Sequence, residues 1–224
     1  MGRFAMPVSC DTCARILTPA EALACLASGG LLLFPTETFY ALGCLIQFPK
    51  ALAAIRTLKG RNQGKPLPLA AASVTQIARF CDLSVLPRQL TAFWPGPLTL
   101  VLPLKPKVRL DPCLVNEQGQ VAVRISAHPT PTWLADCCDE LLTVSSANVQ
   151  GRAPAVSPAT LDPELLSRLE GLRLAWGILP HEPEQSPRGG LPSTIVRPDG
   201  ERLVILRQGA LAAQVLAEHG FALS

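Results

Sequence analysis

Ser28-Gly29-Gly30-Leu31-Leu32-Leu33-Phe34-Pro35-Thr36-Glu37-Thr38 (residues 28–38) ends one element, builds a second and opens a loop. Two adjacent glycines stop a helix, because neither resists leaving the helical region. The apolar run Leu31–Phe34 is too short for a helix and reads as a buried strand. Pro35 carries no N–H to extend a ladder and ends it. Upstream, Thr18-Pro19-Ala20-Glu21 offers an N-cap, a proline at the first helical position and a glutamate at the third, so a helix runs to about Ala27.

Downstream, helices are predicted at Ala51–Leu58, Val74–Phe80 and Pro87–Phe93, the last broken by Trp94-Pro95-Gly96-Pro97. Strands are predicted at Leu67–Ala72, Leu98–Leu104 and Gln120–Ile125. A helix at Pro131–Cys138 precedes a buried strand, Leu142–Ser145, that delivers Ser146 and Asn148 into a loop. The connection Gly151–Pro158 leads to a helix at Pro163–Leu169. Residues 181–192, with their prolines and Gly189-Gly190, read as a flexible solvated loop. Strands Ser193–Arg197 and Leu203–Arg207 flank the turn Pro198-Asp199-Gly200, and Leu211–His219 closes with a helix. Helices and strands alternate irregularly, with hairpin signals between them. That pattern implies an α/β fold with a mixed, twisted sheet and flanking helices. Residues 1–17 read as a leader and 18–224 as one domain.

The 224 residues are 48% hydrophobic and 17% charged, which excludes a disordered chain. A net charge of +3 argues against coating nucleic acid through bulk charge. The start holds no apolar run of signal-peptide length, and no stretch reaches the ~18 apolar residues that span a bilayer, so the expected setting is cytoplasmic, away from membranes. Eight cysteines lie mostly alone inside apolar segments and read as small buried hydrophobes. Cys10-Asp11-Thr12-Cys13 has no second such pair, and Cys137-Cys138 are adjacent, so no metal site is assigned.

Charge is distributed unevenly. No carboxylate stands between Glu37 and Asp82, a stretch that holds Lys50, Arg56, Lys59, Arg61, Lys65 and Arg79. A cationic loop without counter-charges, densest at Lys59-Gly60-Arg61-Asn62-Gln63-Gly64-Lys65, suits a phosphate or carboxylate ligand. Lys59 and Arg61 are two apart and would point the same way from an extended loop. Arg124 ends the apolar strand run Val121-Ala122-Val123 and needs a partner, either a bidentate carboxylate or a structural ion pair. Thr36 follows the strand-ending proline, where a hydroxyl faces a cleft or caps a turn. Ser146 and Asn148 alternate and can share one cavity, while Ser193 and Arg207 stand at matching ends of a hairpin.

Pro35-Thr36-Glu37-Thr38-Phe39-Tyr40-Ala41-Leu42-Gly43 followed by Lys59-Gly60-Arg61 resembles the YrdC/Sua5 family, the L-threonylcarbamoyladenylate synthases. The resemblance continues in order through Trp94-Pro95-Gly96-Pro97-Leu98-Thr99, Val121-Ala122-Val123-Arg124-Ile125, His128-Pro129, Ser146-Ala147-Asn148, Pro192-Ser193-Thr194-Ile195-Val196 and Leu206-Arg207-Gln208-Gly209-Ala210. It implies an open twisted sheet with a cationic concave cavity. It also implies synthesis of L-threonylcarbamoyl-AMP from L-threonine, bicarbonate and ATP, with Mg2+ accompanying the nucleotide and pyrophosphate released. The product would serve tRNA through threonylcarbamoyl-transferase proteins. By resemblance Lys59, Arg61, Asn148 and Arg207 meet ATP, with Lys59 and Arg61 catalytic, and Thr36, Arg124, Ser146 and Ser193 meet threonine. Lys65 and His128 are candidate supports, His128 either as a base or as a structural histidine.

Ala41 replaces a usual glycine, Gln208 a common proline, and Asn62-Gln63-Gly64 alters the cationic loop. The end at Ser224 points to the short, single-domain relatives. Two other readings stand beside the synthase: a binder of double-stranded or structured RNA, and a carbamoyl-adenylate enzyme with another acceptor. No P-loop and no G-x-G-x-x-G follows a strand, so nucleotide binding cannot rest on those cradles.

Overall fold

The computed structural model describes residues 15–60 and 65–224; the Cys10/Cys13 pair, Arg61, Asn62-Gln63-Gly64 and the leader as far as residue 14 lie outside the described residues. In chain order the elements are α1 (Pro19–Ala27), β1 (Leu31–Pro35), β2 (Tyr40–Gly43), α2 (Pro49–Leu58), β3 (Leu69–Ala70), α3 (Val74–Phe80), β4 (Leu98–Pro103), β5 (Gln120–Arg124) and α4 (Pro129–Cys137). β6 (Leu142–Thr143), β7 (Ser145–Ser146), α5 (Pro163–Glu170), β8 (Trp176–Ile178), β9 (Thr194–Asp199), β10 (Arg202–Arg207), α6 (Ala213–Glu218) and β11 (Ala222–Leu223) follow.

α1 forms as its capping pattern requires: the Thr18 hydroxyl accepts from the Glu21 N–H, and the Glu21 carboxylate accepts from the Thr18 N–H at 2.8 Å. Gly29 leaves the helix at φ +79°, and β1 follows with all five residues buried. The chain already packs against the sheet before α1, since the Leu17 N–H donates to the Ile178 carbonyl at 2.8 Å. No helix among the described residues is long and apolar enough to cross a membrane.

Two mixed sheets share the strands. The smaller runs β7-β2-β1-β8 and the larger β11-β10-β9-β4-β5-β3-β6. They are stitched together at Leu142–Ser146, where β6 joins one sheet and β7 the other, and the Val144 N–H between them donates to the Pro68 carbonyl at 2.8 Å. β2 and β8 escape the sequence reading because each is short and lacks a period of its own. β2 pairs antiparallel with β1, Ala41 opposite Phe34, and β8 pairs parallel with β1 on the other side.

Other elements shrink where proline intrudes. The helix expected at Pro87–Phe93 is a 3-10 segment, Arg88–Phe93, confined between Pro87 and Trp94-Pro95. The strand expected at Leu67–Ala72 keeps only Leu69–Ala70, since Pro66 and Pro68 flank it. Gly43 is required by close approach: a Cβ there would lie 2.1 Å from the Thr143 carbonyl oxygen.

Strand alternation then decides what faces where. Leu33, Leu42, Leu100, Val123 and Val196 enter the main core. Their strand neighbours Ala41, Thr99, Arg124 and Ile195 face the opposite side, and Thr99 lies opposite Ile195 in the β4–β9 register. That side, where the two sheets meet, carries the polar groups.

Candidate active site

A cavity with about 90 Å³ of space open to water-sized molecules lies where the two sheets meet. Thr36, Arg124, Ser146, Ser193 and Arg207 all line it, together with Thr38 and Thr99. Five residues picked from sequence, separated by as many as 171 positions, thus share one wall space.

Thr36 sits in the turn between β1 and β2. Its hydroxyl donates to the Phe39 carbonyl at 2.8 Å and lies 3.3 Å from the N–H groups of Thr38 and Phe39. The turn role and the cavity role are therefore held by one side chain. On the facing wall the Ser193 hydroxyl bonds that of Thr99 at 2.9 Å. Arg207 reaches across the hairpin and donates to the Ser193 carbonyl from Nε at 3.1 Å and Nη2 at 2.7 Å. A register shift between Ile205 and Arg207 brings Arg207 opposite Ile195, on the cavity side.

Arg124 is 5% exposed, and its Nη1 pairs with Glu37 Oε1 at 2.6 Å. Burial lowers the Arg124 pKa, and the Glu37 charge works against that shift. The Ser126 hydroxyl donates to the other Glu37 oxygen. Both alternatives for Arg124 meet here: it has a structural ion pair and it lines the cavity.

Lys59 departs from the sequence expectation. It is the C-cap of α2 with φ −80° and ψ −4°, not part of an extended loop, because its N–H still donates to the Ile55 carbonyl at 3.0 Å. Its side chain is 3% exposed and turns inward. Nζ donates to the Ser146 carbonyl at 2.7 Å, the Asn148 carbonyl at 2.5 Å and Asn148 Oδ1 at 3.0 Å. Asn148 Nδ2 in turn donates to the Val149 carbonyl at 3.0 Å. Lys59, Ser146 and Asn148 are brought together as a knot that fixes the turn after β7. Ser146, the exposed member, carries that knot to the cavity. Lys65 is exposed and does not line the cavity.

Residues 181–192 are anchored rather than free. His181 Nδ1 lies 2.7 Å from the Tyr40 hydroxyl and its Nε2 3.0 Å from the Ser186 hydroxyl. The Arg188 N–H donates to the Glu37 carbonyl at 3.2 Å and the Gly189 N–H to the Thr38 carbonyl at 2.8 Å. Those bonds run between backbones, which leaves no trace in composition; the segment is solvated as expected, with residues 182–186, 188, 190 and 191 exposed.

His128 closes the same segment from the other side. It N-caps α4, where Nδ1 accepts the Thr130 N–H at 3.1 Å. The proton of the neutral ring therefore sits on Nε2, which donates to the Gln185 carbonyl at 2.8 Å. Burial pulls the His128 pKa below 6.5, while Gln185 and Glu37 oppose the shift and His181 reinforces it. Below pH 6.5 the unfolded chain therefore takes up a proton that the folded chain refuses, so stability falls with pH from there down to the depressed folded value. Denaturant unfolding of wild type and His128→Gln at stepped pH is expected to show a shallower acid loss in the variant; parallel curves would remove His128 as the cause.

Glu37, Thr38, Thr99 and Ser126 were not singled out from sequence. Three of them stand inside motifs already noted, and their signal was adjacency to Thr36 and to Leu98.

The family model Sua5_yciO_yrdC, described as "Telomere recombination", matches residues 24–209. The chain belongs to the Sua5/YciO/YrdC family. The threonylcarbamoyl-AMP synthase of Stenotrophomonas maltophilia is 38% identical over 160 residues, 70% of this chain and 85% of that protein. That of Xylella fastidiosa is 36% identical over 163 residues, 71% of this chain and 86% of its own. P. abyssi Sua5 complexed with L-threonine superposes with a TM-score of 0.75 at 27% identity, covering 91% of this chain. This chain spans only 58% of that protein's length. E. coli YciO shares the fold, with a TM-score of 0.65 at 21% identity over 85% of this chain and 88% of its own.

Proposed function

We propose that the protein makes L-threonylcarbamoyl-AMP from L-threonine, bicarbonate and ATP. The observation that carries this reading is one cavity lined by a buried arginine, Arg124, a second arginine, Arg207, and the residues Thr36, Ser146 and Ser193 with their hydroxyls. A zwitterionic, hydroxylated amino acid and a phosphate chain ask for those groups. The names of the curated relatives and the threonine complex of P. abyssi Sua5 support the same choice.

The threonine amine attacks bicarbonate carbon and loses water, leaving a carbamate. A carbamate oxygen then attacks the α-phosphorus of ATP, and the bond from that phosphorus to the α,β-bridging oxygen breaks, releasing pyrophosphate. No protein nucleophile is needed, so the protein's work is positioning and charge stabilisation. Arg124 takes the threonine carboxylate, with Thr36, Ser146 and Ser193 on its polar groups. Arg207 and Arg61 meet the phosphates. Lys59 and Asn148 act by holding the turn that presents Ser146.

Mg2+ is proposed to arrive with ATP. Among the described residues no group of three or more His, Cys, Asp or Glu could hold a metal, so the phosphates and water would supply its ligands. The unstable adenylate would pass to a protein that transfers threonylcarbamoyl to tRNA.

Pyrophosphate release from ATP and bicarbonate, with and without L-threonine, tests the reading. Threonine-dependent release is expected. Release indifferent to threonine would move the reading to another acceptor, and no release together with salt-sensitive RNA binding would move it out of enzymology.

A further inference from the structure

The cavity on the threonine side adjoins a second recess lined by Glu37, His128, Gln185 and Arg188. Thr38 lines both, and the Arg124–Glu37 pair stands between them, Arg124 toward the first and Glu37 toward the second. A guanidinium carries five N–H donors in a rigid fork. Only Nη1 is committed to Glu37, and no Arg124 nitrogen is among the buried, partnerless polar atoms of the described residues. Its remaining donors therefore open onto the cavity.

We propose that Glu37 is a positioning residue for substrate recognition, holding one end of the Arg124 guanidinium so that the free edge meets the carboxylate of the amino-acid substrate. The proposal rests on the threonine reading above and adds a residue to it. Glu37 is fixed at three points. Ser126 holds its second carboxylate oxygen, and the Ser126 hydroxyl also accepts the His128 N–H at 3.2 Å. The Arg188 N–H holds its carbonyl, and the Gly189 N–H holds that of Thr38. The segment 181–189 thus sets the backbone from which Glu37 reaches Arg124, and through it the orientation of the fork. A carboxylate so tied keeps its neighbour in one rotamer before substrate arrives, which spares the entropy of ordering a long side chain on binding.

The opposite reading makes Glu37 a competitor that must be displaced, and the two predict opposite signs. Calorimetric titration of L-threonine into wild type, Glu37→Gln and Ser126→Ala separates them, with thermal unfolding as the check on folding. Positioning predicts threonine affinity weaker by about tenfold or more in Glu37→Gln, and a smaller loss in Ser126→Ala. In turnover the threonine KM rises while the ATP KM holds, a split that general loosening of the structure would not give. Equal or tighter threonine binding in Glu37→Gln overturns the proposal. If Glu37→Gln does not fold, Ser126→Ala decides, because it leaves the ion pair in place, and unchanged affinity there overturns it. A wild type that binds no threonine instead overturns the synthase reading itself.

Discussion

Lys59→Met is expected to reduce threonine-dependent pyrophosphate release by about a hundredfold or more. It should also lower the unfolding free energy by about 3 kcal/mol. Methionine keeps most of the stem's apolar volume, so the loss comes from the ammonium. Its removal leaves the carbonyls of Ser146 and Asn148 and the Asn148 side-chain oxygen without their donor in a buried place. The turn after β7 then relaxes, and Ser146 loses its fixed position at the cavity. Denaturant unfolding and the pyrophosphate assay measure both halves. A variant that is destabilised yet turns over normally would confine Lys59 to support of the fold. A variant as stable as wild type would sink the knot as the reason for its burial.

The same residue shows where the sequence was legible and where it stopped. The cationic run around Lys59 was visible because carboxylates are missing from Glu37 to Asp82. Its direction was not, because that depended on whether Lys59 falls inside or beyond the last turn of α2. As the C-cap, with its N–H tied to Ile55, Lys59 turns its side chain inward instead of standing in an extended loop. Elements with their own local signal, such as the capping box of α1 and the β9–β10 hairpin, were readable within a residue or two. β2 and β8 were not, because four and three residues pairing with β1 owe their strand state to that partner rather than to their own pattern. The Arg124–Glu37 pair spans 87 positions and links a loop to a strand in the other sheet, so only the assembled fold reveals it.

Arg124→Lys is expected to raise the threonine KM by about ten- to a hundredfold. The ATP KM should stay near its wild-type value. The substitution keeps the charge and can keep the bond to Glu37, so it tests geometry rather than electrostatics. An ammonium engaged by Glu37 Oε1 has no planar second edge to offer a carboxylate, whereas the guanidinium has one left over. Stability should suffer less than in Arg124→Leu, which strands the Glu37 carboxylate without its counter-charge and is expected to cost about 3–5 kcal/mol. Steady-state kinetics on Arg124→Lys, with chemical denaturation of both variants, supply the numbers. A wild-type threonine KM in Arg124→Lys would mean that charge alone is recognised, and Arg124 would then be a structural partner of Glu37. A rise in both KM values would place Arg124 in the general scaffold of the cavity. Only a selective loss for threonine assigns the free edge of the fork to the substrate carboxylate.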